Sequence, residues 1–117
     1  MEITSRREAG DLVVSVKGKI DALTTSDFEK QLLELLNQGD RSVIIDLAEL
    51  VYITSAGLRS FLTIAKKLGE NHGTLMVAAL KDVVKSVFEI SGFTVIIPTY
   101  ESVSAALQRS EKPGGNA

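Results

Sequence analysis

The sequence predicts an α/β fold, a single mixed β-sheet that opens with an antiparallel hairpin and continues as alternating strands and helices. Three observations carry this reading. Residues 3–7 and 12–16 read as strands on either side of Ala9-Gly10-Asp11, a trio that suits a turn. Val43-Ile44-Ile45 is a β-branched run, apolar on both faces, as in a strand covered from both sides. Between such strands the apolar residues switch to helical spacing, and strands joined through helices need crossovers that leave them mostly parallel.

Each element has a local reason. Residues 3–7 make an edge strand, and in residues 12–16 Val14 and Val16 share one face with Leu12 beside them. Gly18 is expected to end that strand, and Lys19-Ile20-Asp21 leads into the first helix. That helix begins near residues 24–26, where hydroxyls can cap free backbone N–H groups. Phe28, Leu32, Leu35 and Leu36 then form its apolar stripe, and Glu29, Lys30 and Glu34 its wet side. Gly39-Asp40 stops it. The strand at 42–46 follows, with Val51-Tyr52-Ile53 as an irregular extension of its end.

The second helix is expected over 55–70, with Leu58, Phe61, Leu62, Ala65 and Leu68 turned inward. Asn71-His72-Gly73 makes a turn before a strand at 74–78. A third helix over 81–90 stops near Ser91-Gly92, and Val95-Ile96-Ile97 reads as a short final strand ended by Pro98. A last helix over 100–109 offers Val103, Ala106 and Leu107 to the core. The expected order is ββαβαβαβα, one domain over 1–109 followed by a mobile tail at 110–117 with nothing to bury.

Composition removes several function classes. The 117 residues suit one domain with a real core, and 44% hydrophobic content is ordinary for a globular chain. Without cysteine there is no thiol catalysis, disulfide or thiolate metal site. A net charge of -2, from 13 basic and 15 acidic residues, gives no basic surface for nucleic acid, and four Phe with two Tyr give no stacking platform. No apolar run approaches the ~20 residues of a membrane span. The polar start Met1-Glu2-Ile3-Thr4-Ser5 does not read as a signal peptide, so the expected compartment is the cytoplasm. A monomer is the default expectation.

Catalytic patterns are thin. His72, the single histidine, lies in a turn and reads as solvated. A triad of Ser55, His72 and Asp46 is conceivable, but Thr54-Ser55-Ala56-Gly57 lacks the first glycine of a hydrolase nucleophile elbow. No glycine-rich phosphate loop occurs. Asp21 and Asp46 have no third ligand in the pattern, and they read as structural or interface residues. The chain is expected to be no enzyme, with no cofactor and no metal.

Ser55 stands out instead. A hydroxyl at a helix start is most simply an N-cap, worth about 1 kcal/mol. Thr54 can fill that place equally well, which leaves Ser55 free in the first turn. A phosphate there would add roughly -1.5 to -2 charges, which a helix N-terminus tolerates and an apposed partner surface does not.

Taken together, Gly18-Lys19-Ile20-Asp21, the strand into Asp46-Leu47, and residues 51–58 (Val-Tyr-Ile-Thr-Ser-Ala-Gly-Leu) resemble the STAS domain of bacterial anti-sigma factor antagonists. Ile90-Ser91-Gly92-Phe93 resembles that family's segment after its third helix, so the likeness spans residues 3–107. The resemblance implies partner switching. The unmodified antagonist would bind an anti-sigma factor that is also a serine kinase, which frees the sigma factor. Phosphorylation would end the interaction, and a phosphoserine phosphatase would restore it. The resemblance puts the phosphoacceptor on Ser55, an acidic partner-facing residue on Asp21, and the docking helix start on Gly57 and Leu58. Three positions depart from the family pattern: Thr54 where it has Asp, Ala56 where it has a second hydroxyl, and Arg59 where a small residue is common. The alternative is a STAS domain serving as a structural or sensing subunit of a transport or stress-signalling complex, with Ser55 merely capping.

Overall fold

The structure, a computed structural model, describes residues 1–36 and 42–109. Its elements run β1 (Glu2–Glu8), β2 (Asp11–Ile20), α1 (Thr25–Leu35), β3 (Ser42–Asp46), β4 (Leu50–Ile53) and α2 (Ser55–Gly69). They continue with β5 (Thr74–Ala78), α3 (Asp82–Ile90), α4 (Phe93–Ile96), β6 (Thr99–Tyr100) and α5 (Val103–Leu107). The expected helix stop at Gly39-Asp40 and the tail at 110–117 lie outside the described residues.

The sheet has the order β1-β2-β3-β5-β6, antiparallel between β1 and β2 and parallel thereafter. Its hairpin turns through Ala9 and Gly10, both at positive φ. β3 is the middle of the sheet, and Val43, Ile44 and Ile45 are fully buried because helices cover both faces. Strand alternation splits the core. Leu12, Val14, Val16, Val43, Ile45, Leu75 and Val77 face the main helical layer, whereas Val13, Ile44, Met76 and Ala78 face α5 through Ala106.

All four phenylalanines of the chain stand in one line through the main layer. Phe28 of α1 stacks on Phe61 of α2 at 5.2 Å between centroids. Phe61 meets Phe88 of α3 edge-on at 5.5 Å, and Phe88 meets Phe93 of α4 at 6.2 Å.

Four sequence expectations are corrected. Gly18 does not end β2. At φ +103° it bends the strand, the register shifts between Gly18 and Lys19, and the chain continues to Ile20. Residues 50–53 are then not an extension of β3 but a separate strand, β4, parallel to that far end of β2 (Gly18↔Leu50, Ile20↔Ile53). Residues 95–97 are not a strand. Gly92, left-handed at φ +80°, starts the single turn α4, in which the Ile97 N–H donates to the Phe93 carbonyl at 2.8 Å. Phe93 and Ile97 are buried one turn apart while Val95 and Ile96 face solvent, which is helical and not strand spacing. The last strand is the two-residue β6 after Pro98, so α5 begins only at Val103, capped by the Ser102 hydroxyl, which accepts from the Ala105 N–H at 3.0 Å.

Behind α5 a buried ion pair joins the two ends of the fold. Arg109 donates to both carboxylate oxygens of Asp11, at 3.0 and 3.1 Å, and to the Ala106 carbonyl at 2.7 Å. Among the described residues no helix is long and apolar enough to cross a membrane.

Candidate functional site at the start of α2

β2 and β4 run in parallel and end together, which brings the loop after Ile20 beside the residue before Ser55. The Thr54 N–H donates to the Ile20 carbonyl at 3.0 Å and so continues the ladder one step past β4. Two segments distant in sequence therefore meet at one corner.

On the β2 side, Asp21 builds a tight turn. Its Oδ1 accepts from the N–H groups of Leu23 (3.0 Å) and Thr24 (3.2 Å), and its own N–H donates to the Thr24 hydroxyl oxygen at 2.8 Å. Its carbonyl receives the Thr25 N–H and hydroxyl at 2.9 and 2.7 Å. These bonds favour the carboxylate. The Leu23 N–H first of all holds the Asp21 carboxyl below its ordinary value of 3.8, with the Thr24 hydroxyl and N–H and the Lys19 charge adding to that, against a smaller opposing cost of desolvation. The turn leaves Leu23 almost wholly exposed.

On the β4 side, Thr54 is the N-cap of α2. Its backbone is extended, its hydroxyl accepts from the Gly57 N–H at 3.1 Å, and its carbonyl accepts from the Leu58 N–H at 2.8 Å. With the cap occupied by Thr54, Ser55 is the first helical residue, and its side chain faces solvent with Ala56 beside it. The first turn of α2 holds no acidic residue. Arg59, one turn further on, is also exposed.

Beneath this outer face the helix is pressed onto the sheet. A Cβ built on Gly57 would stand 2.7 Å from the Ile20 Cγ2, 3.0 Å from the Ile53 Cγ1 and 3.1 Å from the Ile20 carbonyl oxygen. Only glycine lets the helix start approach the ends of β2 and β4 so closely. Leu58 is buried in the main core, and the buried Ser60 hydroxyl donates back to the Gly57 carbonyl at 2.5 Å.

The structure thus brings together Asp21, Thr54, Ser55, Ala56 and Arg59 at one corner, with Asp21 and Thr54 half-buried and the others exposed. Gly57 and Leu58 belong to the same helix start, but both point inward and neither lies on its outer face. Two residues of the corner had no signal in the sequence. Leu23 carries no motif, and Ser60 looks like any polar helical residue until its burial is known.

The conceivable triad is not assembled. Ser55 begins α2, whereas His72 lies beyond its C-terminal end in a left-handed turn at φ +61°. A helix of 15 residues separates them by roughly 20 Å. Asp46 instead ends β3, where its carboxylate accepts from the Ala48 N–H at 3.0 Å and the Ser15 hydroxyl at 3.4 Å.

Known proteins share this arrangement. The family model described as the STAS domain matches residues 2–106. A Bordetella bronchiseptica protein named "Putative anti-sigma factor antagonist BtrV" is 39% identical over 106 residues, 91% of each chain. The anti-sigma-B factor antagonist of Staphylococcus aureus is 30% identical over 79 residues, 68% of this chain and 73% of its own. Among solved structures, an anti-sigma factor antagonist from Mycobacterium paratuberculosis superposes with a TM-score of 0.82 at 25% identity, covering 91% of this chain and 90% of that one. With its antiparallel opening, parallel continuation and helix start at Ser55, the chain belongs to the STAS domain family, among relatives named anti-sigma factor antagonists.

Proposed function

We propose that this protein is an anti-sigma factor antagonist that works by partner switching, with Ser55 as the switch. The observation that carries the reading is the division of labour between two hydroxyls. Thr54 does the capping, which leaves the Ser55 hydroxyl exposed and without a structural duty at the tip of α2. The relative of 39% identity, named as an antagonist of this kind, supports the same reading.

In the unmodified state the corner formed by Asp21, Thr54, Ser55, Ala56 and Arg59 docks on an anti-sigma factor that is also an ATP-dependent serine kinase, and the sigma factor is released. Gly57 and Leu58 act from beneath, by seating the helix. The kinase transfers the γ-phosphoryl group of ATP to the Ser55 oxygen. The hydroxyl proton is lost, ADP leaves, and the phosphoserine carries roughly -1.5 to -2 charges. The fold tolerates that charge at the positive end of α2. The partner surface does not, because the phosphate must be desolvated and has no room. A phosphoserine phosphatase resets the switch. The protein acts as a monomer in the cytoplasm.

Intact-mass measurement after incubation with ATP and the candidate kinase tests this. A single added phosphate in the wild type, absent from Ser55→Ala, is the expected result. Ser55→Ala keeps binding the kinase, and Ser55→Asp binds it at least ten-fold more weakly. Absence of phosphate with every candidate kinase, together with a permanent complex with a transporter or scaffold subunit, would replace the switch by a structural role.

A further inference from the structure

Arg59 stands four residues after Ser55, so the two side chains are neighbours on the same outer face of α2. Both are exposed, and the Arg59 side chain has no hydrogen bond or ion pair with any other of the described residues. No acidic side chain lies in the first turn to compete for it, since Thr54 holds the cap and Ala56 follows Ser55. The order is also the favourable one. A negative group placed N-terminal to a cation at this spacing lies along the helix dipole and not against it.

We propose that Arg59 is the internal counter-ion of phosphorylated Ser55, a guanidinium that faces the partner before modification and turns onto the phosphate after it. A phosphate offers three acceptor oxygens, and a guanidinium fork meets two of them in parallel. The switch then has two parts. Phosphorylation adds a dianion to the docking corner and at the same stroke withdraws the cation that the corner had presented. The partner surface opposite Arg59 is accordingly one that offers an acceptor, a carboxylate or a set of carbonyl groups, and it loses its contact when Arg59 is recaptured. Aspartate at position 55 carries one charge and two acceptor oxygens, so it reproduces this exchange only in part.

The inference rests on Ser55 being the modified residue, but its test requires no kinase. Phosphoserine is installed at position 55 during translation, in the wild-type sequence and in Arg59→Gln and Arg59→Lys. The second ionisation of the phosphate is then followed by 31P NMR. In the wild type it is expected to fall roughly 0.2 to 0.4 unit below that of the Arg59→Gln protein, with Arg59→Lys between them. The gap closes in 1 M salt, where screening acts over about 3 Å. The Arg59 side-chain N–H resonance moves with the same titration. Lys19 and Asp21, the charged groups at the adjoining end of β2, are common to all three proteins and cancel in the comparison. Arg59 is exposed, so the unphosphorylated variants should melt with the wild type. Coincident titrations of wild type and Arg59→Gln would overturn the pairing. Failure of every kinase to modify Ser55 would instead overturn the switch and leave the measured pairing standing.

Discussion

Two residues set the geometry of the proposed docking corner. At Gly57 an added methyl meets the Cγ2 of the buried, β-branched Ile20 at 2.7 Å, which has little freedom to turn, and also the Ile20 carbonyl at 3.1 Å, which cannot move without breaking the step between β2 and Thr54. Alanine gains about 1 kcal/mol in helix propensity over glycine, and overpacking costs about 1–3 kcal/mol. The clash should win. Gly57→Ala is expected to lower stability by roughly 1–2 kcal/mol in urea unfolding at unchanged m-value, and to weaken partner binding by tilting Ser55. Asp21 acts through its charge. Its carboxyl ionises more readily in the fold than in the open chain, so the stability it contributes is present above its ordinary value of 3.8 and is lost as pH falls through the lower folded value. The melting temperature of Asp21→Ala should therefore lie below that of wild type at pH 6 and converge on it as the pH approaches 2. A constant gap across that range would mean that Asp21 matters only by shape.

The bounds of α2 were legible almost to the residue. The expected span 55–70 differs from Ser55–Gly69 by one residue, because a capping hydroxyl, an apolar stripe and a glycine-bearing stop all agree. The consecutive hydroxyls of Thr54 and Ser55 also made the cap readable, and Thr54→Ala should cost about 1 kcal/mol, whereas Thr54→Asp, which caps as well, should stay within about 0.5 kcal/mol of wild type. β4 was not legible as a strand in its own right. Its four residues follow β3 so closely that they read as its continuation, and what makes them separate is pairing with the far end of β2, some thirty residues earlier. The same distant pairing brings Asp21 to Ser55, so the corner could be inferred from the sequence only by family resemblance. Residues 95–97 misled for another reason. Three β-branched residues favour a strand locally, but the fold needs Phe93 and Ile97 buried one turn apart, and tertiary packing overrides propensity.

Over the whole molecule, the sheet separates two cores, and the smaller one depends on a latch. Asp11 and Arg109 are 1% and 6% exposed, and they tie the five-residue α5 to the start of β2. Arg109→Met removes two charge-assisted hydrogen bonds from a buried carboxylate, and it is expected to cost about 3 kcal/mol. The double variant Asp11→Leu with Arg109→Met should recover much of that loss in the same urea titration. The latch and the proposed switch lie at opposite ends of β2, ten residues or roughly 30 Å apart. Met1, by contrast, lies against Gly18, its Cα 3.4 Å from where a Cβ there would stand, close to the end of β2 that meets Thr54. This bears on how the protein should be handled. An affinity tag, fluorophore or surface linker at the N-terminus would crowd the docking corner and report a false loss of binding. The same group attached after Arg109 would leave the corner free, and a protein immobilised from that end presents Ser55 outward.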